Sequence, residues 1–461
     1  MDSTSFMSCF LTPRSVALIG LSRATGEGSY NLLENLFHLG YRGRIYPVNP
    51  NAQEILGVRC YATVSEIPEA VDLAVILTPR ELVLSVVSEC TDRGIKAIIV
   101  VSQGFADADE EGKRLQQEIT RIANQGGARI IGPNTFGTVN AFHSFSTAFM
   151  KLELKPLPIG LICQTGVMFI GFPGIRLFGK GIDLGNACDI DFADCVDYFG
   201  VDPEVRLIVL QIEGLRYGRR FMETARRVAK RKPIIALKTG RSKAGARAAQ
   251  SHTGSLSGSD EVYNASFKQS GVIRVYDIEE LGDLVGGFLH LPPMRGRRLA
   301  VASITGAGGI IAADACERYG LQLAQLSPLS LDKIAALSPP WMSIGNPVDM
   351  WPASMISGHP YDHVIKTTLE ALLGDEGVDA VLYMTTEIES EPALDVAEAI
   401  FDVTGRFPTK PIVTWRYSPH ISQASARLEQ SRRVLVYPSC ERAVRTLTAL
   451  ATYYERIAAP E

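Results

Sequence analysis

The densest run of chemically able residues is KTGRSKAGARAAQSHTGSLSGSD, residues 238–260. One imidazole, His252, sits there among hydroxyls and glycines, just after an apolar run that reads as a buried strand. Small residues let a chain swing and pack closely against a ligand. A lone histidine is more often structural or solvent-exposed, but the glycine and serine density around this one favours a functional role. An imidazole with one free nitrogen is a competent nucleophile toward phosphoryl groups. Its other N–H then needs an acceptor to hold the ring. Glu213, at the tip of VRLIVLQIEG, is the candidate acceptor; the alternative is an ordinary exposed strand-end glutamate. A phosphorylated imidazole also needs anion stabilisation. Gln164, Thr165, Gly166 and Val167 end the strand GLIC and open the pattern VMFIGFPGI, which predicts a helix whose first N–H groups would face phosphate oxygens. The residues Ser257–Asp260 open a second helix, and Ser251, Thr253 and Gly254 flank the ring as further phosphate contacts.

A second constellation lies near the N-terminus. After the run SVALIG come Gly20, Ser22, Gly26, Glu27, Gly28 and Ser29, then a helical pattern. Glycines let the backbone approach a phosphate, and a helix N-terminus offers free N–H groups. The spacing is not G-x-G-x-x-G, so the loop is either a tight strand–helix turn or a site for a nucleotide-bearing ligand. The next strand ends in Val48, Asn49 and Pro50 with no acidic residue to hold a nicotinamide ribose, which counts against NAD. In an open parallel sheet, ligands sit outside the carboxyl ends of strands. Thr78 and Pro79, Ser102, Gln103 and Gly104, and Asn134 would line that same crevice.

These residues need strands to present them. Short apolar runs alternate with amphipathic stretches such as Tyr30–Leu39 and Glu110–Gln125, a pattern that argues parallel sheets covered on both faces. Five runs lie between 15 and 134, four between 160 and 277, and four more from 299 to 438. The proline-bearing stretches LELKPLPIG (152–160) and LPPMRGRR (291–298) separate the groups. The predicted organisation is α/β throughout. A Rossmann-like domain covers 1–150, a domain with the histidine loop covers 151–292, and a third α/β domain covers 299–461. The 461 residues are 46% hydrophobic and 21% charged with net charge −4, which excludes a globally basic partner surface for nucleic acid or an anionic membrane. The start, MDSTSFMSCF, has no signal-peptide pattern, and no apolar stretch is long enough to span a membrane. Eight scattered cysteines with no Cys-x-x-Cys pair read as buried thiols of a reduced, cytoplasmic protein. The seven histidines show no metal-ligand spacing, so no metal is expected on this chain.

The quoted motifs carry a family likeness. TPRSVALIGLS, YRGRIYPVNPNAQEILGVRCYATVSEIPEAVDLAVILTP and RIIGPNTFGTVN resemble the CoA-binding domain of ADP-forming acyl-CoA synthetases, relatives of the succinyl-CoA synthetase α-subunit. RSKAGARAAQSHTGSLSGSD closely resembles their phosphohistidine motif, and LPIGLICQTGV and LGNACDIDFADCVDYF are similar to other landmarks of their ligase domain. ITGAGGIIAADACERYGLQLAQLS and the run Asn346–Asp349 are similar to their third, flavodoxin-like domain. The resemblance implies a CoA-binding domain followed by two flavodoxin-like ligase domains. It implies reversible chemistry: acyl-CoA and phosphate give acyl phosphate and CoA, His252 takes the phosphoryl group and frees the acid, and phosphohistidine phosphorylates a nucleoside diphosphate. Glu213 matches the strand-end glutamate that orients the ring.

The chain departs from the pattern at several places. Asn51 stands where the family often has a lysine that meets a CoA phosphate, which predicts weaker and less salt-dependent CoA binding. Thr135 replaces a cysteine near the thioester, Cys163 replaces a serine, and Gly306–Ile311 alters a glycine motif of the third domain. The ATP-grasp domain that holds ATP or ADP and Mg²⁺ in this family is not among these residues. The expectation is an ATP-grasp partner subunit, most simply in an α₂β₂ assembly, acting on a small carboxylic acid. Two other readings on the same scaffold are a CoA- or acyl-CoA-binding regulatory module and an acyl-CoA transferase or lyase.

Overall fold

The computed structural model describes residues 3–26, 29–172, 175–247, 258–385, 396–417, 423–431 and 433–458. The chain divides into two compact units, one running to Leu281 and one from Gly282 onward.

The first unit holds two sheets. One has five parallel strands in the order Arg44–Val48, Ser15–Ile19, Leu73–Ile76, Ala97–Val100, Arg129–Ile131. Every residue of Ser15–Ile19, Leu73–Ile76 and Ala97–Val100 is buried, as strands covered on both faces must be. The first strand lies inside the sheet, and the chain moves to one side of it and then to the other. The strand order therefore reverses at Ile19, and the crevice that such a reversal opens lies outside the carboxyl ends of Ser15–Ile19 and Leu73–Ile76.

The second sheet repeats this plan. Ile159–Cys163 lies between Lys180–Asp183 and Leu207–Ile212, all parallel, with Ile234–Lys238 and Ile273–Val275 beyond. Its own reversal point is at Cys163. Two more strands complete the sheet from earlier in the chain. Thr138–Asn140 pairs antiparallel with Lys180–Asp183, and Phe145–Ser146 pairs antiparallel with Thr138–Asn140. Residues 138–146 thus lie in the second sheet although they precede the proline-bearing stretch at 152–160. The helix Ser3–Leu11 is tied to them: Thr138 Oγ1 donates to the Phe10 carbonyl at 2.6 Å and Asn140 Nδ2 to that of Leu11 at 3.1 Å. One buried apolar cluster runs from Phe10 and Leu18 of the first layer to Ile162 and Phe199 of the second.

Local sequence explains where helices start and stop. Asn31 caps Leu32–Leu39 by accepting the N–H groups of Leu33 and Glu34, and Gly40, with φ +75°, ends it. Asp109 caps Glu110–Gln125, and Asp191 with Asp194 forms a capping box on Phe192–Val201.

The second unit has a third sheet built on the same order, Gln322–Leu323, Arg298–Ser303, Ala380–Thr385, Ile412–Arg416, Leu435–Tyr437, with Val348–Asp349 also pairing with Arg298–Ser303. Asn346 of the Asn-Pro-Val-Asp run is a structural tie. Its Oδ1 accepts the Val301 N–H at 2.9 Å, and its Nδ2 donates to the carbonyls of Leu299 and Ala324.

Candidate functional site

The first sheet gathers the residues expected for CoA at its carboxyl edge. Gly20 follows Ser15–Ile19 with φ +79°, and a Cβ there would stand 2.7 Å from Thr78 Cγ2. Only glycine lets the two strand ends approach this closely. Asn49 Nδ2 donates to the Leu21 carbonyl at 2.9 Å, which draws Val48, Asn49 and Pro50 against the glycine loop. Ser102 Oγ donates to the Thr78 carbonyl at 2.5 Å, and the Asn134 N–H donates to the Ser102 carbonyl at 2.9 Å. Pro79 opens the helix Arg80–Asp92, and Arg80 Nη1 donates to the Gly104 carbonyl at 2.8 Å. Thr78 Oγ1 is buried and has no hydrogen-bond partner among the described residues. A buried hydroxyl without a partner at a strand-reversal crevice is what a polar ligand such as CoA would satisfy, so the residues fit that group.

Sequence reasoning missed two charges here. Arg23, exposed in the glycine loop, reaches the Asn51 carbonyl with Nη1 at 3.4 Å, so a cation stands beside the position that lost its lysine. Glu34 comes from the next helix. Its Oε2 accepts the Gly26 N–H at 3.0 Å and the Ser29 hydroxyl at 3.3 Å. The donors expected for phosphate at Gly26 and Ser29 therefore already hold a carboxylate. The Gly26 N–H, more than Lys151 Nζ at 3.6 Å, keeps that carboxyl below its usual range. A phosphate at this loop would have to displace Glu34. Ser22 accepts the Ala24 N–H within the loop, while Glu27 and Gly28 lie outside the described residues.

The second sheet builds a rigid corner around Glu213. This residue is 7% exposed at the end of Leu207–Ile212, so it is not the ordinary exposed glutamate. Gln164 Oε1 accepts the N–H groups of Glu213 at 2.8 Å and Gly214 at 3.0 Å. The Gln164 N–H donates to Gln211 Oε1 at 2.9 Å, and Gln211 Nε2 donates to Thr239 Oγ1 at 3.0 Å. Lys238, 2% exposed, donates from Nζ to the Glu213 carbonyl at 2.8 Å and lies 4.7 Å from the Tyr263 ring centroid. Burial pushes its ammonium down to about 8, against the pull of Asp260 and Glu213. The Tyr263 hydroxyl accepts the Leu215 N–H at 2.9 Å and so fixes the other side of the corner.

The helix predicted after Gln164 does not form. Gly166–Phe169 is a single 3₁₀ turn, ended as Gly171 takes φ +81°. Thr165, Gly166 and Val167 therefore offer turn geometry rather than a helix N-terminus. Gly166 is there because a Cβ would strike the Phe136 ring at 2.2 Å. The second predicted helix does form as Asp260–Ser270, and Ser259 turns its hydroxyl to Glu261 instead of capping it. Ser251, His252, Thr253 and Gly254 lie outside the described residues, so the phosphorylated ring itself is not placed.

The two edges meet at a cavity of about 220 Å³. Gln103 and Asn134 line it from the first sheet, and Gln164–Val167 line it from the second. Phe136 and Phe149, with centroids 4.6 Å apart, form an aromatic wall. Asp183, which sequence reasoning passed over, also lines it. Its Oδ2 accepts the Phe136 N–H at 2.7 Å and its Oδ1 the Gly185 N–H at 3.3 Å. Burial raises its carboxyl to about 6, opposed by those two donors. Thr135 spends its hydroxyl on the Asp183 carbonyl, and the Cys163 thiol, raised by burial and then by Asp183, lies 3.9 Å from Oδ1. The signal for Asp183 was faint: a carboxylate closing a four-residue buried strand, Lys180–Asp183.

Comparison with known proteins agrees with this geometry. A CoA binding domain family matches residues 14–141, and a succinyl-CoA ligase like flavodoxin domain family matches residues 157–288. The chain is 37% identical over 456 residues to the acetate–CoA ligase (ADP-forming) I subunit alpha of Pyrococcus furiosus, covering 96% of this chain and 97% of that one. It is 38% identical over 380 residues to acetate–CoA ligase (ADP-forming) II of Archaeoglobus fulgidus, but spans 56% of that longer protein. Among solved structures it is similar to the dinucleotide-forming acetyl-coenzyme A synthetase 1 of Ca. Korarchaeum cryptofilum in complex with phosphate and ADP, with TM-score 0.86, 31% identity and 99% of each chain covered. With a relative matched over nearly the full length of both chains, this chain belongs to the ADP-forming acyl-CoA synthetase family, as an α-type subunit.

Proposed function

We propose that this chain carries the CoA site and the phosphohistidine of a two-subunit synthetase that interconverts a carboxylic acid, CoA and ATP with acyl-CoA, ADP and phosphate. The observation that carries the reading is the cavity lined by Gln103 and Asn134 from the crevice of the first sheet and by Gln164, whose side chain holds the Glu213 N–H, from the second. Residues 1–150 serve CoA, 151–292 carry the phosphohistidine loop, and 299–461 complete the ligase.

CoA supplies the thiol that takes and gives the acyl group. Gly20, Thr78, Ser102 and Asn134 would hold it, with Arg23 meeting its phosphates. His252 accepts the phosphoryl group from an acyl phosphate, releasing the carboxylic acid, and later gives the group to a nucleoside diphosphate. Glu213 holds the opposite ring N–H, and the clamp of Gln164, Lys238 and Tyr263 keeps that carboxylate's backbone in place. Thr165 and Gly166 face the transferred phosphate at the cavity wall. The nucleotide and Mg²⁺ belong to an ATP-grasp partner, in keeping with relatives named as alpha subunits, and the assembly is α₂β₂. A cytoplasmic setting accords with eight free cysteines, seven of them buried. No helix among the described residues is long and apolar enough to cross a membrane.

The test is phosphorylation of the chain by partner and labelled ATP, or by acyl phosphate alone. The label should be acid-labile and base-stable and should map to His252. His252→Ala should abolish it. Glu213→Gln should slow labelling by about tenfold to a hundredfold, the worth of a charged hydrogen bond of roughly 1.5–3 kcal/mol, and should leave CoA binding intact. Label that survives acid, or persists in His252→Ala, would overturn the mechanism. An unlabelled native chain with a competent partner would favour the CoA-binding module instead.

A further inference from the structure

An acyl phosphate that exchanges with CoA must place its acyl carbon between the thiol's crevice and the phosphate loop. The 220 Å³ cavity is lined from both, by Asn134 on one side and Thr165 on the other, so the acid's side chain has to lie against its remaining walls. Those walls include Val101, Thr135, Phe136, Phe149 and Asp183. The volume is below the ~300–1,000 Å³ of sites that take drug-sized ligands, which limits the acid to a short one.

Asp183 is the unusual wall. It is 1% exposed, and among the described residues no lysine or arginine forms an ion pair with it. Its donors among the described residues are the Phe136 and Gly185 N–H groups and, at 3.9 Å, the weakly donating Cys163 thiol. A carboxylate has about four lone-pair sites, so three donors leave acceptor capacity on a residue that lines the cavity. Burying a carboxyl without a cation is unfavourable unless something uses it. A ligand hydroxyl or ammonium would use that remaining capacity, a bare alkyl chain would not, and a second carboxylate would be repelled. Resting on the function proposed above, we propose that Asp183 selects a short monocarboxylic acid whose chain bears a hydrogen-bond donor, hydroxyl or ammonium, and rejects dicarboxylic acids.

The experiment measures acyl-CoA formation by the chain with its ATP-grasp partner, using butanoate, its hydroxy and amino analogues, and butanedioate. At least one donor-bearing acid should exceed butanoate in kcat/KM by about tenfold or more, because a site built around a hydrogen bond discriminates strongly against the analogue lacking it. The hydroxy and amino arms tell which donor is preferred, and butanedioate should be poorest. Asp183→Asn keeps the shape and removes the charge. It should raise butanedioate relative to butanoate by about tenfold and erase any preference for the ammonium. Native discrimination below about twofold, or a folded Asp183→Asn variant with unaltered selectivity, overturns the proposal. The native panel decides alone if the variant does not fold. If His252 takes label from acyl phosphate while no donor-bearing acid is favoured, the function stands and the specificity proposal falls. If His252 takes no label, both fall.

Discussion

Lys238 is a charged side chain held almost wholly out of water, with its Nζ on the Glu213 carbonyl. Its ammonium loses a proton near pH 8 in the fold, against about 10.4 in an unfolded chain. Between those values the unfolded chain binds more protons, so stability rises with pH. This contribution is fully present above about pH 10.4 and is lost as pH falls through 8. Its full size is about 3 kcal/mol at 1.36 kcal/mol per unit. Lys238→Met keeps the stem and removes the titration. Amide-exchange protection of Leu207–Ile212 in the native protein should therefore climb relative to the variant between pH 8 and 10. Parallel curves would mean that Lys238 does not titrate there. Arg23 gives a second residue-level prediction. The sequence at Asn51 pointed to weaker, less salt-dependent CoA binding, yet a guanidinium stands beside that carbonyl. CoA binding by the native chain should weaken as salt rises, and Arg23→Ala should weaken it about threefold to tenfold at low salt and flatten the dependence. Calorimetry at two salt concentrations checks it. The strand-end position of Glu213 could be read from sequence because it ends a long apolar run. Arg23, Glu34 and Asp183 could not, because their roles come from which strand ends the fold brings together.

At the scale of elements, long apolar runs such as LIVLQI and the helix Glu110–Gln125 were legible, since their periodicity and caps are local. The short strands Thr138–Asn140, Lys180–Asp183 and Val348–Asp349 were not. Each has two to four residues, mixes polar with apolar side chains, and exists only because a neighbouring strand is there to pair with it. The helix expected after Gly166 failed for the opposite reason. Its apolar pattern was right, but Gly171 turns the chain after four residues. The approach of Gly20 to Thr78 supplies a test of element geometry. A Cβ at residue 20 meets Thr78 Cγ2 at 2.7 Å and the Thr78 amide nitrogen at 3.0 Å, on a backbone with φ +79°. Gly20→Ala should destabilise the unit by about 1–3 kcal/mol and weaken CoA. Adding Thr78→Ser removes the methyl but neither the backbone contact nor the positive φ, so it should restore only part of the loss. Thermal unfolding of the single and double variants decides; full rescue would place the strain in the side chain alone.

At the scale of the whole molecule, the first prediction concerns the partner. The chain should co-purify with an ATP-grasp subunit, and these 461 residues alone should form no acyl-CoA from ATP. Full-rate formation by the isolated chain would end the two-subunit reading. A further consequence lies in how the molecule is made. The strands of the first sheet are complete by Ile131, but the hairpin that follows, Thr138–Ser146, has its pairing edge on Lys180–Asp183. That hairpin also holds the last carbonyls of the helix Ser3–Leu11. On the ribosome the N-terminal helix and the hairpin therefore wait, with an open strand edge, for residues not yet translated. A nascent chain arrested before Lys180 has emerged should stay open to protease at both ends of its first layer, and one arrested after Asp183 has cleared the exit should close there.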